Sequence, residues 1–274
     1  MTFTAIQQMF NRAFLLSLSF KKWLLSFVVL ALCGVLVVFC RGLAVHAGYW
    51  VALSLTFLPL FLSAGVFLSL GIVLIRYYHD EVKKKEAHFK WVLQKSWDLL
   101  IGSVYFSVPL ILCYILLWML LGVFLLLQQI PGIGPFFGVI LSFAPFLINL
   151  AILFLCVATF VLLFFLTPVV ALKGLNRNVV FNQLAQHLQG DPFSNLILFM
   201  IALIPLVLVL LLVTTAAYLT GTICSECNDA LSVVLQWFFV MLPFTALLTP
   251  SVIFFFNFAA ESYVWQRKRG EEAP

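Results

Sequence analysis

Two cysteines, Cys224 and Cys227, are the residues of this chain best spaced to do chemistry, in the stretch Cys-Ser-Glu-Cys-Asn-Asp. Such a pair forms a disulfide in an oxidising compartment, and it catalyses thiol exchange where its surroundings lower a thiol pKa. Glu226 and Asp229 add negative charge beside the thiols and disfavour the thiolate. The favoured interpretation is therefore a possible structural disulfide or plain thiols, with redox catalysis as an alternative.

Metal chemistry has little support in the sequence. A structural zinc usually takes four ligands, whereas the four histidines are scattered along the chain. The sequence contains no His-Glu-x-x-His helix, no phosphate-binding loop and no Gly-x-Ser-x-Gly elbow. We therefore expect no metal, no cofactor, no catalytic residues and no enzymatic activity.

Three amide side chains, Asn149, Gln236 and Asn257, lie inside long uncharged apolar stretches. An amide within a membrane usually hydrogen-bonds to a neighbouring helix, for about 0.6–2 kcal/mol. That structural role is the favoured interpretation. The alternative is that the three line a binding pocket for a neutral or lipid-like ligand.

A cluster of lysines follows the second apolar stretch. Its members are Lys83, Lys84, Lys85, Lys90 and Lys95. Beside an anionic leaflet each basic residue contributes about 1 kcal/mol of attraction. Contact with lipid headgroups therefore explains the cluster and the net charge of +5 without nucleic acid, and a protein partner in the membrane stays open.

Six stretches without Asp, Glu, Lys or Arg must position these residues. They are Trp23–Cys40, Ala47–Ile75, Leu99–Gln129, Phe136–Leu172, Phe193–Gly221 and Ala230–Ala260. Each reaches the roughly 18–20 residues with which one helix crosses a bilayer. The chain is 64% hydrophobic and 9% charged, against about 25% charged residues in soluble domains. The sequence predicts an all-α polytopic membrane protein, one domain over residues 1–274, without a soluble domain.

The distribution of basic residues predicts the orientation. If alternate connections face opposite sides, 14 of the 15 Lys and Arg residues share a side with both termini, and only Arg41 faces the other. Short loops rich in Lys and Arg stay in the cytoplasm. We therefore expect cytoplasmic N- and C-termini. The first stretch is longer than the usual core of a signal peptide, so we expect it to remain as a span.

The spans are predicted to pair into three hairpins, each preceded by an amphipathic helix at the cytoplasmic interface. The first amphipathic segment places Ile6, Phe10 and Ala13 on one face and Gln7 and Arg12 on the other. Similar patterns cover residues 86–98 and 178–188. The alternative is that these segments are extensions of the spans packed on their neighbours.

Two short motifs carry a family resemblance. They are Leu-Gln-Lys-Ser-Trp-Asp-Leu-Leu at 93–100 and Thr-Pro-Val-Val-Ala-Leu-Lys-Gly at 167–174. In these motifs and in layout the chain resembles bacterial six-span inner-membrane proteins related to the membrane domain of some glycerophosphodiester phosphodiesterases. In its high phenylalanine content the chain is also similar to inner-membrane proteins of chlamydial bacteria. The resemblance implies a bacterial inner membrane, and it does not carry over the phosphodiesterase activity.

The favoured function is therefore a non-enzymatic, multi-pass inner-membrane protein with a structural, lipid-interacting or accessory role. Membrane lipids are its expected partners. A transporter or substrate-capture subunit is the first alternative, and it requires a pocket at the amides. A thiol-redox membrane enzyme using Cys224 and Cys227 is the second.

Overall fold

The structure is a computed structural model that describes residues 3–47, 49–83, 101–103, 105–128, 130–131, 143–174, 192–220 and 230–272. Every regular element among these residues is helical. The helices are α1 (Phe3–Leu15), α2 (Phe20–Ala44), α3 (Tyr49–Val82), α4 (Ser107–Gln128), α5 (Ala144–Lys173), α6 (Pro192–Leu219) and α7 (Ala230–Glu272). A 3-10 turn, Leu16–Leu18, joins α1 to α2.

Six of these helices, α2 to α7, are long and apolar enough to cross a membrane. For the described residues, the prediction of an all-helical fold with six helices long and apolar enough to span a membrane is confirmed. The three-hairpin layout and the interfacial helices stay predictions. The second and third amphipathic segments, at 86–98 and 178–188, lie outside the described residues.

Three of the helices begin at or near a proline, and α6 begins at Pro192 itself. The third apolar stretch begins at Leu99, but α4 begins at Ser107, after a turn in which Phe106 N donates to Ser103 O at 3.0 Å. Pro109 then lies in the first turn of α4, and Pro145 lies in the first turn of α5. Proline suits a first turn because the amide it lacks has no partner within the helix there.

The middle of the last helix forms the centre of the bundle. Every residue from Ser251 to Ala260 is buried. A helix that is apolar on all sides must be surrounded by other helices or by lipid, and here α2, α3, α5 and α6 all contact α7. The Phe164 ring of α5 packs tilted against Phe255 of α7 at a ring-centroid distance of 5.6 Å and edge-to-face against Phe199 of α6 at 5.7 Å. Side chains therefore fill the described centre of the bundle.

Small residues let the helices approach this centre closely. A methyl group built on Gly71 of α3 would lie 2.6 Å from Thr167 Cγ2 of α5 and 2.7 Å from Phe256 Cδ1 of α7. On α2, Gly34 faces Met241 of α7 in a similar way. Association of helices inside a bilayer depends on such close packing, because lipid is as apolar as the side chains.

A second buried cluster joins α3, α4 and α5 around Phe61 and Tyr114. Hydroxyl groups cross the seam between α3 and α4. Tyr114 donates its hydroxyl proton to Ser54 O at 2.6 Å, and Ser107 Oγ accepts from Gly65 N at 2.5 Å. Inside a bilayer the hydrophobic effect does not drive helices together, so these hydrogen bonds help to hold α3 against α4.

We expect Gly71→Ala to destabilise the bundle, because overpacking of a filled core costs about 1–3 kcal/mol. The matched control is Gly122→Ala on α4, where the added methyl meets no atom within 4 Å and the better helix propensity of alanine is gained without a clash. The measurement is the thermal midpoint in one detergent. A midpoint for Gly71→Ala at or above that of Gly122→Ala would contradict the packing described here.

Candidate functional site

Charged and hydrogen-bonding side chains gather at one end of the bundle, which we call the α1 end. The polar end cluster consists of Arg12, Lys22, Tyr78, Glu81 and Glu261. Four helices, α1, α2, α3 and α7, contribute to it. The opposite end carries Arg41, whose guanidinium lies 5.4 Å from the ring centroid of Trp237.

Lys22 is the most deeply buried charged residue that the structure describes, with 2% of its surface exposed. Its Nζ donates to Glu81 Oε2 at 2.5 Å and to Leu16 O at 2.9 Å. The ammonium also lies 5.4 Å from the Tyr77 ring and 5.3 Å from the Tyr78 ring, within the range of a cation–π contact. One amine therefore joins the 3-10 turn, α2 and α3.

Glu261 is the second carboxylate of the cluster. Its Oε1 accepts the hydroxyl proton of Tyr78 at 2.6 Å and lies 3.6 Å from Arg12 Nη1. The Glu261 side chain is 15% exposed and the Arg12 side chain is 50% exposed. This carboxylate therefore joins the end of α7 to both α1 and α3.

The helical repeat explains why Lys22 points inward and Lys21 does not. Residues 22, 26, 30, 34 and 38 of α2 are all buried and recur every four positions, so they form one face of the helix. Lys21 lies outside this stripe and is exposed. The close partner of the stripe is α7, through the contact of Gly34 with Met241.

A pocket of about 220 Å³ lies beside the polar end cluster. Its charged or titratable lining residues other than tyrosine are Arg12, His79, Lys83 and Glu261. Its apolar lining residues are Ile75, Val82, Leu172, Ala260 and Val264. The pocket is much larger than the about 10–15 Å³ that one water occupies, and it joins a basic rim to an apolar wall.

The structure does not bring the three predicted amides together. Gln236 and Asn257 lie about 30 Å apart along α7, since each helical residue advances the axis by about 1.5 Å. Asn149, on α5, and Gln236 are half-buried. None of the three lines the pocket at the α1 end.

Asn257 instead lies inside the packed core, fully buried. Its Nδ2 donates to Ala13 O at 3.4 Å, a long hydrogen bond. Its Oδ1 has no hydrogen-bond partner among the described residues. The contact joins α1 to α7, which is the structural role that an intramembrane amide usually has.

The other predicted site residues fall largely outside the described residues. Cys224 and Cys227 lie there, as do Lys84, Lys85, Lys90 and Lys95. Lys83, at the end of α3, is exposed and lines the pocket. The described cysteines, Cys33, Cys40, Cys113 and Cys156, are free thiols. Within the described ranges no group of three or more His, Cys, Asp or Glu side chains is placed to hold a metal ion.

Inspection of the sequence missed Lys22, Tyr78, Glu81 and Glu261 as site residues. In the sequence, Lys22 counts only as one of the 14 basic residues that predict the orientation of the chain. The two glutamates lie beyond the ends of apolar stretches. One signal was present. Lys22 continues the stripe of Ser26, Leu30 and Gly34 at a spacing of four, which places it on the same face as those small and apolar residues.

Comparison of the chain with protein-family models, with curated proteins and with solved structures gave no match.

We expect Lys22→Met to lower the free energy of unfolding by about 2 kcal/mol, since it removes charge-assisted hydrogen bonds to Glu81 and Leu16. That change lowers the thermal midpoint by roughly 5 °C. Lys21→Met is the control, because Lys21 is exposed. Glu81→Gln added to Lys22→Met should recover part of the loss, because no unpaired carboxylate remains. Equal midpoints for Lys22→Met and Lys21→Met would refute this role.

Asn257→Leu tests whether the buried amide is structural. We expect a thermal midpoint above that of Asn257→Ala, because Leu keeps the branched shape and the number of side-chain heavy atoms and removes an unsatisfied oxygen. Asn257→Ala, by contrast, leaves a cavity, and we expect it to lose about 2 kcal/mol. A loss as large for Asn257→Leu as for Asn257→Ala would show that the amide itself is required.

Proposed function

We propose that this chain is a non-enzymatic, multi-pass protein of a bacterial inner membrane that binds membrane phospholipid at its α1 end. The observation that carries the proposal is the pocket of about 220 Å³ with a basic rim and an apolar wall. A phospholipid has the same division, with a phosphate at one end and hydrocarbon at the other. This role is the lipid-interacting form of the function predicted from the sequence.

The position of the pocket supports a ligand from the membrane. Lys83 follows directly on the candidate span Val51–Val82, and Leu172 lies in the last turn of Ala144–Lys173. Both therefore lie where spans end and headgroups begin. The excess of Lys and Arg on the side of the termini favours a cytoplasmic α1 end, facing the anionic leaflet.

The exposed edge of α1 also supports this depth. Phe14 and Leu15 of α1 and Leu18 of the following 3-10 turn are 48%, 71% and 64% exposed, whereas Met9 and Ala13 are buried against the bundle. A short helix with apolar side chains on its outer edge is stable where it can reach the acyl chains. Arg12, on the same helix, is then held at the level of the headgroups.

The alternative functions gain no comparable support. A transporter or capture subunit predicts a pocket near Asn149, Gln236 or Asn257, and none of the three lines the pocket at the α1 end. A thiol-redox enzyme depends on Cys224 and Cys227, which lie outside the described residues. Both stay hypotheses from the sequence alone.

Native mass spectrometry of the full chain tests the proposal. After reconstitution in phospholipid and exchange into detergent, we expect the wild type to retain phospholipid that Val264→Phe loses, because the larger ring fills the pocket beside Val264. Leu247→Phe is the matched control, since Leu247 lies on the same helix and is 55% exposed. Retention by Val264→Phe equal to that by Leu247→Phe, or no retained lipid in the wild type, would overturn the proposal.

A further inference from the structure

We propose that the lipid held at the α1 end carries a net negative headgroup, and that Arg12 and Lys83 bind its phosphate. This inference rests on the proposed lipid-binding function and adds the class of lipid. The shared chemistry is a phosphate oxyanion, which is a diester in the lipids. The competing occupants are a zwitterionic phospholipid and free inorganic phosphate.

The charge around the pocket is the first observation. Its lining carries Arg12, Lys83 and Glu261, with His79 as a further base. With His79 neutral, two positive charges and one negative charge leave a net charge of +1. A basic rim that faces the headgroup layer attracts anions.

The carboxylate in this rim already has partners within the protein. Glu261 Oε1 accepts from Tyr78 at 2.6 Å and pairs with Arg12 at 3.6 Å, and 85% of its side chain is hidden from solvent. An ammonium group from ethanolamine or choline would have to compete for it beside two cations. A zwitterionic headgroup is therefore disfavoured relative to an anionic one.

Arg12 keeps donors for a ligand while it pairs with Glu261. Its guanidinium has five N–H groups, its side chain is 50% exposed, and its distance of 3.6 Å to Glu261 exceeds that of a tight charge-assisted hydrogen bond. A phosphate oxygen can therefore bind Arg12 without breaking the ion pair. Arginine is suited to such planar, two-point recognition of phosphate.

Lys83 supplies the second cation from a different helix. It is exposed at the end of α3, and its backbone N–H donates to His79 O at 3.1 Å, so the last turn of α3 is ordered. His79 and Lys83, four residues apart, lie on one face of that turn. The phosphate is thus predicted to bridge α1 and the end of α3.

The apolar wall distinguishes a lipid from free phosphate. Ile75, Val82 and Val264 give inorganic phosphate nothing to contact, whereas the glycerol and first methylenes of a lipid bury apolar surface there. The pocket is smaller than the about 300–1,000 Å³ of typical sites for whole small molecules. It fits a headgroup, with the acyl chains lying outside along the helices.

Native mass spectrometry with defined lipids tests this assignment. The full chain is titrated with phosphatidylglycerol, phosphatidylcholine and phosphatidylethanolamine of identical acyl chains. Each basic residue near an anionic lipid favours binding roughly fivefold, so we expect phosphatidylglycerol to bind at least about tenfold more tightly than either zwitterionic lipid. Millimolar inorganic phosphate should leave phosphatidylglycerol bound.

Double variants that each remove two positive charges show which residues cause the preference for phosphatidylglycerol. Arg12→Gln combined with Lys83→Gln should bring the affinity for phosphatidylglycerol down to that for phosphatidylcholine. The control, Lys21→Gln combined with Lys173→Gln, removes the same charge from exposed positions outside the pocket and should keep the preference. If the first pair lowers the thermal midpoint, Lys83→Gln alone replaces it, with roughly a fivefold loss expected.

The outcomes separate the two proposals. Lipid bound without headgroup preference, or with equal preference in both double variants, overturns the anionic assignment and leaves lipid binding standing. If phosphatidylethanolamine binds most tightly, Glu261 binds its ammonium group, and the anionic assignment is overturned as well. Displacement of phosphatidylglycerol by inorganic phosphate would make free phosphate the occupant, and no lipid bound at all would overturn both.

Discussion

Burial of Ser251–Ala260 of α7 on all sides is the constraint on which the rest of the bundle depends. Inside a bilayer, apolar side chains gain little by leaving lipid, so a central helix must be held by close packing. Gly71 and Gly34 provide the space for Phe256 and Met241 of α7. The packing of α2 and α3 against this helix then determines where their end residues lie, including Lys22 and Tyr78.

The polar end cluster follows from the same packing. Because α2 packs its stripe of positions 22–38 inward, the amine of Lys22 must find partners at the edge of the core, and Glu81 and Leu16 O supply them. A buried pair is weak evidence for net stability, since desolvation offsets its attraction. Its clearer effect is to determine how the 3-10 turn, α2 and α3 meet.

The filled centre and the open, basic α1 end favour the proposed binding at the α1 end over movement of a ligand through the bundle. Movement of a ligand through the described core would require displacement of large rings such as Phe164 and Phe255, which pack against one another. Binding at the α1 end requires no such rearrangement, because Arg12 and Lys83 already border a cavity. The basic rim and apolar wall of that cavity suit the proposed recognition of a lipid at the membrane surface.

The sequence by itself determined the six helices that the structure describes as long and apolar enough to cross a membrane, because the length of an uncharged apolar stretch is sufficient to define a candidate span. It also determined that most basic residues lie at span ends. It did not determine which spans are buried in the bundle: α6 has the highest hydropathy, 3.4, with 17% of its span buried, whereas α3 has 2.4 with 67% buried. Lipid and protein interior are equally apolar, so hydropathy does not distinguish them. Only the tertiary structure buried Lys22 rather than Lys21, separated Asn257 from Gln236, and brought Arg12, Lys83 and Glu261 to one pocket, because contacts between helices distant in sequence decide these positions.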